Sequence, residues 1–384
     1  MKFTVNKSAL FAELQHLVRV TEKKSTIPIL SMVLIEAKDD SIRLIATDLD
    51  VTLITTCVAD VSAAGSVVLS AKKLFDVVRA LPDAEISFQA MNKKTDGVHT
   101  TVSCAGSEFK LATQEKEHFP ATPTLQKTGV GFSASTLQSL VERTVYAITL
   151  EESRYALSGA LFESDENALR MVATDGHRLA CAEASAVAGH HRRIVPRKAL
   201  SEIAFLSAAR VKELKSKDSQ VQAQAQANGE VLFVSDENHM FFQFGERLLI
   251  SRMLAGQFPK WDLVIPKNNG NVVSLATKEF AHAVTRAALM ADERSHGVKL
   301  ELKKNKLIIT AHSADVGEAK EEISVEYKGE PVEIGFNAKY CLEFLNTITT
   351  ERINFSLNNG ESPALFRPDG DDGYRYVVMP MRLL

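Results

Sequence analysis

The chain has no surplus of positive charge: 45 Lys and Arg stand against 48 Asp and Glu, a formal net charge of −3. No global field draws it to a polyanion, so any nucleic-acid contact would have to use local basic patches. It also lacks the ~18 consecutive apolar residues of a membrane helix. Its first residues, MKFTVNKSAL, carry no apolar run of a secretion signal. The expected location is cytoplasmic, with no membrane partner. Cysteine is scarce and scattered, at Cys57, Cys104, Cys181 and Cys341, with no CxxC spacing. The expectation is free, buried thiols in a reducing compartment.

The motifs of common enzyme chemistry are missing as well. There is no P-loop, no GxGxxG and no GxSxG. Asp48, Asp50, Asp175 and His177 could be metal ligands or an acid–base set, which keeps a metal-dependent hydrolase as the opposing class. However, Asp48 and Asp175 sit at equivalent places in a repeat, and turn chemistry explains them better. His190-His191 has no carboxylate or Cys partner nearby in sequence. No catalytic residue, cofactor or metal is expected.

What is present is repetition. Three amphipathic segments, 8–18, 135–145 and 277–289, carry apolar residues at i, i+4 and i+8: Leu10, Leu14, Val18; Leu137, Val141, Val145; Phe280, Val284, Ala288. A strand hairpin follows each, at 33–50, 161–177 and 299–315, and Ala-Thr-Asp recurs at 46–48 and 173–175. A second helical segment comes next, at 71–81, 196–206 and 337–348, with Lys73, Lys198 and Lys339 at matching places. Leu10 and Leu137 are 127 residues apart, as are Thr47 and Thr174. The first two copies close on Phe119-Pro120 and Phe258-Pro259.

Each copy is domain-sized, and a 45% hydrophobic content can give each its own core. The expected domains are 1–122, 130–260 and 263–384. Two helices over antiparallel strands make the class α+β, three tandem copies of one domain.

The words MKFTV, TIPIL (26–30), VATDGHRLA (172–180), IVPRK (194–198), EIGFN (333–337) and YVVMPMRL (376–383) resemble the beta subunit of bacterial DNA polymerase III, the sliding clamp. The likeness runs almost end to end. It implies a non-enzymatic processivity factor: two chains of three clamp domains each, closed head to tail into a homodimeric ring around duplex DNA. Helices would line the hole and sheets would form the outside. Such a ring should touch phosphates and avoid base edges, since base contacts would pin it.

By family position, the DNA-binding residues are Lys24, Lys72 and Tyr155, with Arg154, Arg197 and Lys198 as further basic candidates; ordinary solvated charge is the alternative for each. Glu151 and Ala156 depart from residues that some members use for DNA. The family's hydrophobic cleft takes short linear motifs, a glutamine with two large apolar side chains. They come from the polymerase III alpha subunit, the clamp loader, other DNA polymerases and repair proteins. Matching positions are Leu157, Thr174, Gly176, His177, Arg178, Leu179, Pro259, Val264, Pro363, Val378, Met379, Pro380, Met381 and Arg382. Apolar walls containing methionine suit one groove with many ligands. Asp175-Gly176-His177 reads as a tight turn exposing Arg178 and Leu179. Leu263 stands where some members have arginine, and Leu384 extends the usual end. The dimer interface would set Phe109 and Lys110 of one chain against Leu289, Met290, Glu318, Glu321 and Glu322 of the other. A second clamp copy with a specialised role, such as inhibitor tolerance, is the alternative within the family.

Overall fold

The computed structural model describes residues 1–22, 26–92, 98–125, 129–151, 153–185, 189–215 and 230–382. Among them are six α-helices: α1 Lys7–Val20, α2 Ala71–Ala80, α3 Ala134–Glu142, α4 Arg197–Lys215, α5 Thr277–Ala288 and α6 Ala338–Leu345. None is long and apolar enough to cross a membrane. Side-chain caps start three of them by satisfying early amide groups: Asn6 for α1, Ser70 for α2 and Asn337 for α6.

The helical repeat settles which residues face inward. Leu10, Leu14, Leu137, Val141, Phe280 and Val284 are all fully buried, as the spacing requires. Val18, Val145 and Ala288, eight residues beyond each start, are only half-buried. At about 100° per residue, i+8 has rotated roughly 80° off the face while i+7 is nearly aligned. Leu17, Thr144 and Ala287 occupy i+7 and are buried. α3 stops short of the expected 145 because the Thr144 hydroxyl donates to the Leu140 carbonyl at 2.7 Å, and a 3-10 turn, Val145–Ala147, follows. α4 runs past the expected 206, through a run of good helix formers to Lys215, with Arg210 buried and donating to the Glu230 carbonyl at 3.2 Å.

The described chain forms two compact units, one of residues 1–138 and 198–253, the other of residues 139–197 and 254–384. In the first, thirteen antiparallel strands make one sheet from Val130–Phe132 to Asp60–Ala63. Strand Arg247–Arg252 joins Val51–Val58 in its middle, with Ile250 opposite Thr52. In the second, eight strands run from His191–Pro196 to Asn271–Ala276, and four more form a separate sheet. Here strand Tyr374–Val378 joins Arg178–Ser185, with Val377 opposite Leu179. All pairings are antiparallel, as the α+β class requires.

The two copies of Ala-Thr-Asp fold alike. Asp48 Oδ1 accepts from the amides of Asp50 (3.0 Å) and Val51 (2.6 Å), and Asp175 Oδ1 from those of His177 (2.9 Å) and Arg178 (3.0 Å). Thr47 and Thr174 donate to the carbonyls of Val51 and Arg178. Both carboxylates therefore build turns. The turn needs a positive φ at its next residue. Gly176 supplies it at 90°, whereas Leu49 is held there at 80°.

In the first unit α1 packs on α2 and on strands Ser41–Thr47 and Val51–Val58. One polar cluster lies within this packing. Arg247 donates to Glu13 at 2.6 and 2.8 Å and to Glu213 at 2.5 Å, and Thr55 donates to Glu13 at 2.6 Å. His16 sits beside it, with no hydrogen-bond partner for Nδ1. Burial, then the charge of Arg247, lowers its pKa to about 4, although Glu13 and Glu213 oppose the shift. The folded state resists protonation that the unfolded chain accepts below about 6.5. Stability should therefore fall as pH drops from about 6.5 towards 4, by at most about 3 kcal/mol. Denaturant unfolding across that range should show the slope in the wild type and lose it in His16→Gln.

Candidate functional site

An apolar cavity of about 180 Å3 opens at the junction of the eight-stranded sheet with the Pro259–Val264 segment. Its floor belongs to the core. Leu179, Trp261 and Val377 pack with Leu161, Val172, Ile194, Phe258 and Leu365, and Leu157 lies against them. Pairing of Arg178–Ser185 with Tyr374–Val378 sets Leu179 beside Val377. The indole of Trp261 donates to Glu163 at 3.3 Å, which fixes the ring. Thr174 and Gly176 border the opening from the turn, while Pro259, Val264 and Met379 border it from the opposite walls. Val264 and Met379 remain 39% and 42% exposed, so apolar surface faces solvent at the mouth.

Arg178 is the polar keystone of this wall. It is 7% exposed. Its guanidinium donates to Asp175 at 3.0 Å, to the Tyr146 carbonyl at 2.7 Å and to Glu343, and lies 4.3 Å over the Tyr340 ring. Every one of these partners lies in the same unit, so the arginine ties turn, helix and wall together. Below it, Tyr146 and Tyr374 share a 2.9 Å hydrogen bond. Burial pushes the Tyr374 phenol up to about 12 and raises Tyr146 well above the usual phenol range, so both stay neutral donors. All four cysteines are free and buried. Burial raises Cys57 and Cys341 to about 12 and Cys181 to about 11.

Of the residues expected in the cleft, Leu157, Thr174, Gly176, Arg178, Leu179, Pro259, Val264 and Met379 come together around the cavity. Val378 does not line it: strand alternation turns it to the other face, where it is fully buried. His177 is exposed on the turn and its carbonyl accepts from the Met379 amide at 2.8 Å. Pro363, Pro380, Met381 and Arg382 also lie outside the lining. Met381 is tied by its amide to the Gly335 carbonyl at 2.9 Å. Trp261 and Val377 were missed in the sequence reading. The period of two from Met379 identifies Val377, and the chain's single tryptophan two residues after Pro259 identifies the other.

The basic candidates divide by what already holds them. Lys72 is exposed on the first turn of α2, and Tyr155 is 55% exposed at the start of a 3-10 turn. Arg154 pairs with Glu151 at 3.1 Å and donates to the Asp175 carbonyl at 2.8 Å. Arg197 donates to the Ile148 carbonyl at 3.4 Å. Lys198 donates to the Val20 carbonyl at 3.0 Å and pairs with Asp48. Lys24 lies outside the described residues, as does Leu384. Among the described residues no group of three His, Cys, Asp or Glu side chains converges as a metal site would.

Two strand edges carry the residues expected at a dimer contact. Strand Ser107–Gln114 pairs with Val98–Cys104 from Ser107 to Ala112, and among the described residues only its Thr113 and Gln114 pair with a second strand, Gly65–Ser70. Phe109, 37% exposed, and Lys110 lie on the open stretch. Strand Gly317–Ser324 is the outer strand of the four-stranded sheet and carries Glu318, Glu321 and Glu322. Glu321 takes both oxygens to Arg286, at 3.0 and 2.6 Å, and Glu322 pairs with Lys306 at 3.3 Å. α5 packs on this strand. Just past its end Leu289 is 71% exposed and Met290 half-buried. An open edge invites a further strand.

Three family descriptions match the chain in tandem. The N-terminal domain of the DNA polymerase III beta subunit matches residues 1–123, its central domain residues 132–260, and its C-terminal domain residues 262–382. A beta sliding clamp of Pseudomonas putida is 34% identical over 392 residues, with 100% of both chains covered. One from Caulobacter vibrioides is 34% identical at the same coverage. Among solved structures, the Pseudomonas aeruginosa sliding clamp bound to griselimycin superposes with a TM-score of 0.90 at 33% identity, covering 100% of each chain. A Caulobacter crescentus clamp with PEG bound to its putative beta-motif tethering region gives 0.90 at 33%, covering 100% of this chain and 99% of that one.

Proposed function

The chain belongs to the DNA polymerase III beta subunit family, and we propose how this member does the work of a sliding clamp. It is a replication processivity factor that encircles duplex DNA as a homodimer and tethers the polymerase and its associated proteins. Clamps of this family are non-catalytic, and they act on DNA in the cell interior; for this chain we extend that to no enzymatic activity and a cytoplasmic location. The domains are 1–122, 130–260 and 263–384. The observation that carries the tethering role is the apolar cavity with its exposed mouth at Val264 and Met379. Such a groove takes apolar anchors, and backbone groups orient an extended peptide.

Holding DNA without gripping it needs few strong contacts, because a closed ring keeps the duplex by topology. Lys72, Lys24 and Tyr155 are the proposed DNA-facing residues, supported for Lys72 and Tyr155 by their exposure. Arg154, Arg197 and Lys198 are proposed in a secondary role, since each is engaged within its own unit. After loading, the protein should stay on nicked circular DNA through gel filtration and run off once the circle is linearised. Equal retention on both would refute a topological link.

Ring closure is proposed through the two open edges. A head-to-tail contact uses different surfaces on the two partners. Phe109 would meet Leu289 and Met290, with Lys110 facing the acidic strand Gly317–Ser324. An apolar centre excludes water and the flanking charges set register. Leu289→Lys with Met290→Lys should give monomers at micromolar concentration by sedimentation velocity. An unchanged dimer would reject this interface.

A further inference from the structure

The first unit contains a groove built on the same backbone frame as the cleft. In the cleft, the Met379 amide donates to the His177 carbonyl at 2.8 Å; 127 residues earlier, the Arg252 amide donates to the Asp50 carbonyl at 2.8 Å. Val377 stands opposite Leu179, and Ile250 opposite Thr52. Pro120 follows Phe119 as Pro259 follows Phe258. The space enclosed is about 380 Å3, larger than the cleft.

The frame is shared but the side chains are not. Leu179 is replaced by Thr52, whose hydroxyl lies 2.7 Å from that of Thr47. Met379 is replaced by Arg252, exposed and with no ion pair among the described residues. Gly176 is replaced by Leu49, 47% exposed and held at a positive φ that favours glycine. A ligand of the cleft, with large apolar anchors, would find a polar floor here and a charge where it needs a methionine.

The geometry points to a second docking groove, for an extended peptide that carries one carboxylate side chain to Arg252 and one apolar side chain against Leu49, Ile250 and Pro120. The substitution of Met379 by Arg252 exchanges an apolar for an acidic partner at that place on the ligand. Asp50, exposed beside Arg252, disfavours a second carboxylate, so an acidic run is a poor ligand. Alternate residues of an extended chain point the same way, so the two anchors are two positions apart. From the cleft reading this inference takes only the shared frame, and the truncation below keeps the two apart.

Two fluorescein-labelled decapeptides of serine and threonine serve as probes. Each carries one leucine and, two positions on, either glutamate or glutamine. Anisotropy titrations use the full chain and the chain lacking residues 379–384. The glutamate peptide should bind both proteins alike, about fivefold tighter than its twin at low salt, with the gap closing as salt rises. Arg252→Gln should erase the preference and Arg252→Glu should reverse it. Arg252 is exposed at a strand end, and matching unfolding curves will show that these variants fold. The inference is overturned if neither peptide binds, if the preference survives Arg252→Gln, or if binding disappears on truncation at 379.

Discussion

Arg178→Ala should cost the unit that holds it about 3–5 kcal/mol, the scale for removing one member of a buried ion pair. The loss is large because the side chain has several partners at once. Without it, the Glu343 carboxylate loses its cation and the Tyr146 carbonyl loses its donor. Asp175 keeps its turn amides but loses its link to the wall. The thermal midpoint should fall by roughly 10 °C. Affinity for motif peptides should drop at least about tenfold, because the turn bordering the cavity is no longer tied to the helix behind it. Arg178→Met with Glu343→Leu should recover part of the stability, since it removes the Glu343 charge that Arg178→Ala strands, while Asp175 still lacks its cation. A calorimetric midpoint within 2–3 °C of the wild type for Arg178→Ala, well short of the fall expected, would show that the network carries little.

The second large effect concerns binding alone. Deleting residues 379–384 should weaken motif peptides about 100-fold or more, the scale of losing a central anchor wall. Met379 forms one side of the mouth, and beyond it the Met381 amide donates to the Gly335 carbonyl at 2.9 Å. Val377 stays on the floor in its strand pairing. The fold and the dimer should therefore persist, because the proposed interface uses the end of α5 and strand Gly317–Ser324. Sedimentation should show an intact dimer and titration a lost ligand. Retained affinity would move the peptide site away from this cavity.

Much of this was visible in the linear sequence because repetition exposes it. Three amphipathic helical faces, each followed by a hairpin, gave the tandem α+β architecture, and the shared Ala-Thr-Asp word located two turns in which the same Asp and Thr side-chain hydrogen bonds recur. What stayed hidden depended on long-range pairing. Nothing near Lys198 in sequence announces Asp48, 150 residues away, so its charge reads as free. Strand alternation from Met379 already turns Val378 away from the cavity, but that Val377 meets Leu179 on its floor is decided by the register with Arg178–Ser185. The exchange of Met379 for Arg252 likewise becomes meaningful once the two strand ends are seen on one frame.

The buried thiols have a practical corollary. Alkylating reagents attack thiolates, and groups held near 11 or 12 are almost wholly protonated at neutral pH. A cysteine introduced at Val58, 84% exposed, or Leu150, 81% exposed, should react with a maleimide dye while the four native ones, all buried, stay silent. Single-molecule tracking of this protein travelling along a stretched duplex would then need one substitution and no cysteine-free background.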